Sequence, residues 1–142
     1  FPPPPADVPT LYAWLGGAPA IERLMATFYA RVPADPVLAP VFAHMAPAHA
    51  AHVAAFVAEV LGGPPAYSTD VAGPKGGHAR MIGRHLGRML TEAQRARWLA
   101  LLLESADAVG LPDDPEFRSA FVAYLEWGSR LAVVNSQPGV PA

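Results

Sequence analysis

The sequence predicts an all-α protein, one bundle of helices with no convincing strand. Three observations carry that prediction. Hydrophobic residues make up 52% of the chain and alanine, the strongest helix former, swells that share. Apolar residues recur at spacings of three and four in one segment after another. Clusters of proline and glycine separate those segments. With 142 residues, the chain fits one domain with a core of its own.

The elements follow in order. Leu11 to Leu15 forms a short first helix that Gly16-Gly17 stops. A second helix runs roughly from Ala18 to Val32, with Ile21, Leu24, Met25, Phe28 and Val32 as its apolar stripe. Pro33, Pro36 and Pro40 break the next stretch into turns, and Phe42 and Met45 lie in this connector. Another helix starts near Pro47 and ends at Gly62-Gly63-Pro64. Its inward stripe reads His49, Val53, Phe56 and Val60, with His52 beside it. Residues 65 to 77 read as a loop, and a short helix covers His78 to Leu86. Thr91 and Gln94 carry the capping-box pattern for a helix with Trp98, Leu101, Leu102, Ser105 and Val109 on one face, closed by Gly110. The last helix begins at Asp113-Asp114-Pro115-Glu116, with acidic residues at the positive end of its dipole. Its expected buried stripe is Phe117, Phe121, Tyr124, Leu125, Gly128, Leu131 and Ala132. Trp14 and Trp127 read as packing residues. The expected organisation is a loose proline-rich leader over residues 1–9, a domain over 10–137 and a flexible tail over 138–142. Helix-on-helix packing is the layer scheme this pattern supports.

Composition removes several function classes. The chain has no cysteine, which excludes a disulfide scaffold, a thiolate zinc site, an iron–sulfur cluster and a cysteine nucleophile. The net charge is −2, from 10 basic and 12 acidic residues, with no basic run of the kind that binds nucleic acid. No apolar stretch approaches the roughly 20 residues that span a membrane. Phe1 to Pro5 lacks the basic residues and apolar core of a signal peptide, so the cytoplasm is the expected location.

The chemistry must then rest on five histidines, His44, His49, His52, His78 and His85, and their surroundings. No HExxH pair is present, and no cysteine can complete a tetrahedral zinc site. His49 and His52, at i and i+3, offer one helix face to a metal. No glycine-rich phosphate loop and no Gly-x-Ser-x-Gly elbow occurs. Haem fits better. It needs a wide apolar slot, one neutral imidazole for iron, and basic or hydroxyl groups for its propionates. His85 follows a glycine-rich loop at i+4 from Met81, so the two share a helix face. Arg80 and Arg84 flank it as propionate partners. The facing wall is the helix with His49, Val53 and Phe56. A single histidine is more often a surface or packed residue, and placement alone does not decide the matter.

The ordered text does more. Leu11-Tyr12, Gly16-Gly17, Phe28-Tyr29-Ala30-Arg31-Val32, Asp35-Pro36-Val37-Leu38, Gly62-Gly63-Pro64, Tyr67-Ser68, Gly77-His78, Arg84-His85 and Trp98 together resemble the truncated haemoglobins, specifically their second group. The resemblance covers about residues 10 to 137. It implies a shortened globin, a two-over-two helical sandwich around haem b. By the same resemblance His85 is the proximal iron ligand, Tyr29 the distal tyrosine, Phe42 the aromatic residue packed on the haem, and Trp98 the tryptophan of the distal pocket. His49 falls on the distal position facing the iron, with Val53 and Phe56 on the following turns and His52 as its competitor. Tyr67, Arg84 and His78 correspond to propionate contacts. Many members of the group carry a small residue where His49 stands. A histidine there adds a group able to hydrogen-bond the bound gas or to bind the iron itself. The loop between Tyr67 and His78 is also longer than in typical relatives.

The implied ligands are diatomic gases, O₂, CO or NO. Tyr29, Trp98 and His49 are the donors that would stabilise charge on a bound gas in a dry site. Each bond is worth ~1–3 kcal/mol, so two slow escape by well over tenfold at ~1.4 kcal/mol per decade. That argues against bulk oxygen transport and for redox chemistry on the bound gas. The competing readings are a haem enzyme, a nitric oxide dioxygenase or peroxidase working with a separate reductase, and a haem-free helical binding module. An open, apolar-walled haem also suits an engineered carbene transferase. Both a monomer and a homodimer fit the sequence.

Overall fold

The computed structural model describes residues 9–44, 49–64 and 89–137. Expectations that fall on the leader, Met45, Pro47, the loop after Pro64, the helix over His78 to Leu86 and the end of the tail lie outside the described residues.

Five α-helices and no strand occur among the described residues. Helix α1 is Leu11–Leu15 and α2 is Gly17–Arg31. The Thr10 hydroxyl caps α1 by accepting from Ala13 N at 3.1 Å. Gly16, at φ 114°, ends α1 and opens α2, a conformation a side chain would strain. A 3₁₀ turn over Val32–Ala34, with Pro33 inside it, hands the chain to the connector. Helix α3 is His49–Val60. Helix α4 is Glu92–Ala108, and its capping box is complete: Gln94 N donates to Thr91 Oγ1 at 3.1 Å, and Thr91 N donates to Gln94 Oε1 at 2.9 Å. Helix α5 is Pro115–Asn135, where Asp114 Oδ1 accepts from Glu116 N at 2.8 Å and Phe117 N at 3.3 Å.

Helix α2 is the hub, packed on α1, α3 and α4, while α5 closes on α4 and α1. Ile21, Leu24, Met25 and Phe28 of α2, Leu101, Leu102 and Ala106 of α4, and Phe117, Phe121 and Leu125 of α5 form one buried core. Burial of each large side chain stabilises the fold by about 1.5–3 kcal/mol. Phe117 stacks on Phe121 at 5.5 Å, and Trp14 packs on Phe117 at 5.6 Å. Polar ties join the elements. Arg95, buried on α4, donates from Nη1 to Glu126 Oε2 at 3.2 Å and Ser129 Oγ at 3.4 Å on α5. The fully buried Ser136 accepts from Leu90 N at 2.9 Å, anchoring the approach to α4 on the end of α5.

Two expected stripes differ from the observed ones. On α3 the core-facing residues are Ala54 and Ala58, continued by Leu61, while His49, Val53, Phe56 and Val60 are only half-buried. Small residues let α3 lie close on α2, and the larger stripe sits about a third of a turn away around the helix. On α5, Tyr124 and Leu131 are exposed, as is Trp127 at 48%, whereas Ser129 is buried. The core of α5 is narrower than its apolar content, because only the Phe117–Phe121–Leu125–Ser129 side meets α1 and α4.

Candidate functional site

Helical spacing puts Phe28 and Tyr29 next to each other on α2, one pointing into the core and the other to its edge. Phe28 is fully buried and Tyr29 half-buried. Their rings meet edge to face at 4.9 Å. Tyr29 also meets Phe42 of the connector and His49 at the start of α3, both at 5.6 Å and nearly perpendicular. Phe42 and His49 complete that triangle at 6.0 Å. Trp98 of α4 joins through Phe28, whose ring lies 6.3 Å from the indole and 6.4 Å from Phe42. Edge-to-face pairs at these separations are the favoured aromatic geometry and each adds about 0.5–1.5 kcal/mol beyond burial. Four elements thus bring Tyr29, Phe42, His49 and Trp98 to one place, with Phe28 at its centre.

The polar atoms of this cluster are unusual. The Tyr29 hydroxyl has no hydrogen-bond partner among the described residues, and burial alone pushes its phenol above the ordinary value of 10.0. It therefore stays protonated and can donate. The Trp98 indole N–H also makes no hydrogen bond among the described residues. Both side chains are half-buried, so the cluster places two hydrogen-bond donors where a bound group could meet them.

His52, Val53 and Phe56 stand on α3, half-buried, with Val53 packed against the core cluster. Met45, Tyr67, His78, Arg80, Met81, Arg84 and His85 lie outside the described residues. Sequence reasoning passed over Asp35 and Arg97, which form an ion pair beside the cluster. Asp35-Pro36 is legible as a turn, but nothing in the sequence joins it to Arg97.

Comparison with known proteins decides the family. A family profile described as bacterial-like globin matches residues 10–127. The chain belongs to that family. The group 2 truncated hemoglobin YjbI of Bacillus subtilis is 32% identical over 121 residues, 85% of this chain and 86% of its own. Among solved structures, the group II truncated hemoglobin from Bacillus anthracis superposes with a TM-score of 0.76 at 27% identity, covering 89% of this chain and 92% of that one. A truncated oxygen-avid haemoglobin from Bacillus subtilis gives 0.73 at 30% identity, covering 88% and 99%. These relatives bear out the expected group II truncated haemoglobin and its all-α, shortened globin fold.

A globin of this kind implies a haem, and the cluster fits one. The truncated globin presents the Tyr29 and Trp98 donors together with the half-buried Phe42 ring, backed by the fully buried Phe28, which is the mixture of apolar wall and few polar groups that cofactor sites use. On α3, half-buried Val53 and Phe56 lie on the same helix face as His49, one and two turns further along.

Proposed function

We propose that the chain holds haem b against the wall formed by Phe42, Val53, Phe56 and Trp98, with His85 as its iron ligand, and binds O₂, CO or NO on the side of Tyr29. Met45, His52 and Met81 are proposed as further haem contacts, and Tyr67, His78, Arg80 and Arg84 as partners of the propionates. The haem supplies an iron centre that takes up the gas and exchanges electrons with it. The observation that carries the reading is the buried Tyr29 hydroxyl, without a described partner and 5.6 Å ring to ring from both Phe42 and His49.

The protein's own part is to hold donors. With haem bound, the Tyr29 hydroxyl and the Trp98 indole N–H would donate hydrogen bonds to the gas, and His49 would supply a third contact. Aromatic rings exclude water, which strengthens each of those bonds. Tightly held gas suits redox turnover, either nitric oxide oxidation or peroxide consumption with a separate reductase, rather than oxygen delivery. The likeness to a haemoglobin described as oxygen-avid supports the same reading.

Absorption spectra of the ferric, reduced and reduced-plus-CO protein test it. The expected result is a Soret band with the CO complex typical of histidine-ligated haem, and loss of stable haem in His85→Ala. No Soret band after haem is added would remove the haem function. An unchanged spectrum in His85→Ala would remove the ligand assignment. Mixing the oxygenated protein with nitric oxide in a stopped-flow cell then separates turnover, which is expected, from simple binding.

A further inference from the structure

Phe42 and Trp98 reach the cluster from different elements, the connector and α4, and Phe28 lies between them. The ion pair of Asp35 and Arg97 ties those same two elements together. Arg97 is the residue before Trp98, and its Nε donates to Asp35 Oδ2 across 62 positions of sequence. Asp35 is buried, at 6% exposed, and divides its two oxygens between two tasks. Oδ1 accepts from Val37 N and Leu38 N, both at 3.0 Å, and so builds the turn that opens the connector. Oδ2 makes the tie to α4. The turn then passes its position on. The Leu38 carbonyl accepts from Val41 N at 3.0 Å and from Phe42 N at 3.3 Å, and Leu38 itself is 1% exposed. One path of bonds therefore runs from the backbone beside Trp98, through Arg97 and Asp35, to the backbone of Phe42.

We propose that Asp35 and Arg97 are positioning residues for the gas site, fixing the separation of Phe42 from Trp98 and thereby setting how fast bound gas escapes. The inference rests on the haem reading above. Its physical basis is aim. The indole N–H stabilises a bound gas only if α4 is held in register with the opposite wall, and small displacements of positioned groups are costly. A charge-assisted bond is the strongest polar tie available between a loop and a helix. The Arg97 bond and the two turn amides hold the Asp35 carboxyl below its ordinary value, so the pair is intact at neutral pH. Arg97 also lies 3.8 Å from Glu104 on its own helix.

The two oxygens of Asp35 allow a clean test. Asp35→Asn keeps an oxygen for the turn amides and loses the charged tie. Arg97→Gln cuts the tie from its half-exposed end, where the fold tolerates change. Wild type, both single variants and the double variant, each full-length and loaded with haem, are compared by oxygen release rate and by the infrared stretch of bound CO. Haem-free samples of the same proteins are compared by the nuclear magnetic resonance signal of the Trp98 indole N–H. Each single variant is expected to release oxygen about tenfold faster, the size of one lost ligand hydrogen bond. The CO stretch shifts, the indole signal moves, and the double variant is no faster than either single one. Lower melting temperatures with unchanged rates, CO stretch and indole signal would overturn the proposal and leave the pair a structural tie. A wild type that takes up no haem would overturn the haem reading and this inference together. A normal CO complex in wild type with unaltered variants overturns this inference alone.

Discussion

Tyr29 is where one atom carries the most consequence. Its hydroxyl is buried without a described partner, and its raised pKa follows from burial alone. A neutral phenol in that setting is a permanent donor. Tyr29→Phe is therefore expected to speed oxygen release by about 5- to 150-fold, from ~1–3 kcal/mol of lost bonding. Trp98→Phe is expected to act in the same direction. Stopped-flow displacement of oxygen by CO measures both, and unchanged rates in the two variants would mean that neither donor reaches the gas. The sign of the pKa shift adds a second outcome: because the neutral form is favoured, the wild-type rate stays flat as pH passes the ordinary phenol value of 10.0. A step in the rate near that pH would place the hydroxyl in water. The resemblance singled out Tyr29, Phe42, His49 and Trp98 as site residues, but their meeting is a tertiary fact. The Asp35–Arg97 pair was invisible in the sequence because no periodicity links residues 62 positions apart.

Helix boundaries were legible to within a residue or two wherever a local bond sets them. Thr91 with Gln94 and Asp114 with Pro115 fix two starts by chemistry that the sequence spells out. Which face of a helix meets which neighbour was less legible. The stripe His49–Val53–Phe56–Val60 is real, yet α2 receives Ala54 and Ala58 instead, because close approach of two helices favours small residues. The joint at the end of α3 shows the same closeness. Gly63 N donates to Ala58 O at 2.8 Å, the Leu61 carbonyl accepts from Tyr12 N at 3.0 Å, and the Tyr12 hydroxyl accepts from Ala18 N at 3.1 Å. A Cβ on Gly63 would lie 2.6 Å from Tyr12 Cδ2 and 2.8 Å from the Ala58 carbonyl oxygen. The carbonyl is backbone and cannot swing aside. Gly63→Ala is accordingly expected to destabilise the protein by about 1–3 kcal/mol, the usual cost of overpacking. A urea titration should show a lower midpoint with an unchanged slope; an unmoved midpoint would mean that α1 shifts off α3 at no cost.

For the whole molecule, the described helices form a complete core on one side and an incomplete one on the other. Phe28, Phe117 and Phe121 are fully enclosed, whereas Tyr29, Phe42 and Trp98 are half-buried around Phe28, and Val53 and Phe56 are half-buried on α3. On the proposed reading, a haem set against Tyr29, Phe42 and Trp98 would cover side chains that the fold alone leaves half-buried. Binding to the folded state alone stabilises it by mass action, by about 2.7 kcal/mol when free haem is a hundredfold above its dissociation constant. For a chain of this size that is about 10 °C in melting temperature. Stripping the haem with acid and butanone, returning to neutral pH, and adding one equivalent back should lower and then restore the melting temperature. The far-ultraviolet signal should change less than the melting temperature, because α1, α2, α4 and α5 share a buried core of their own. A haem-loaded protein that melts at the same temperature as the stripped one would show the haem bound outside this wall, and Phe42, Val53, Phe56 and Trp98 would then need another occupant.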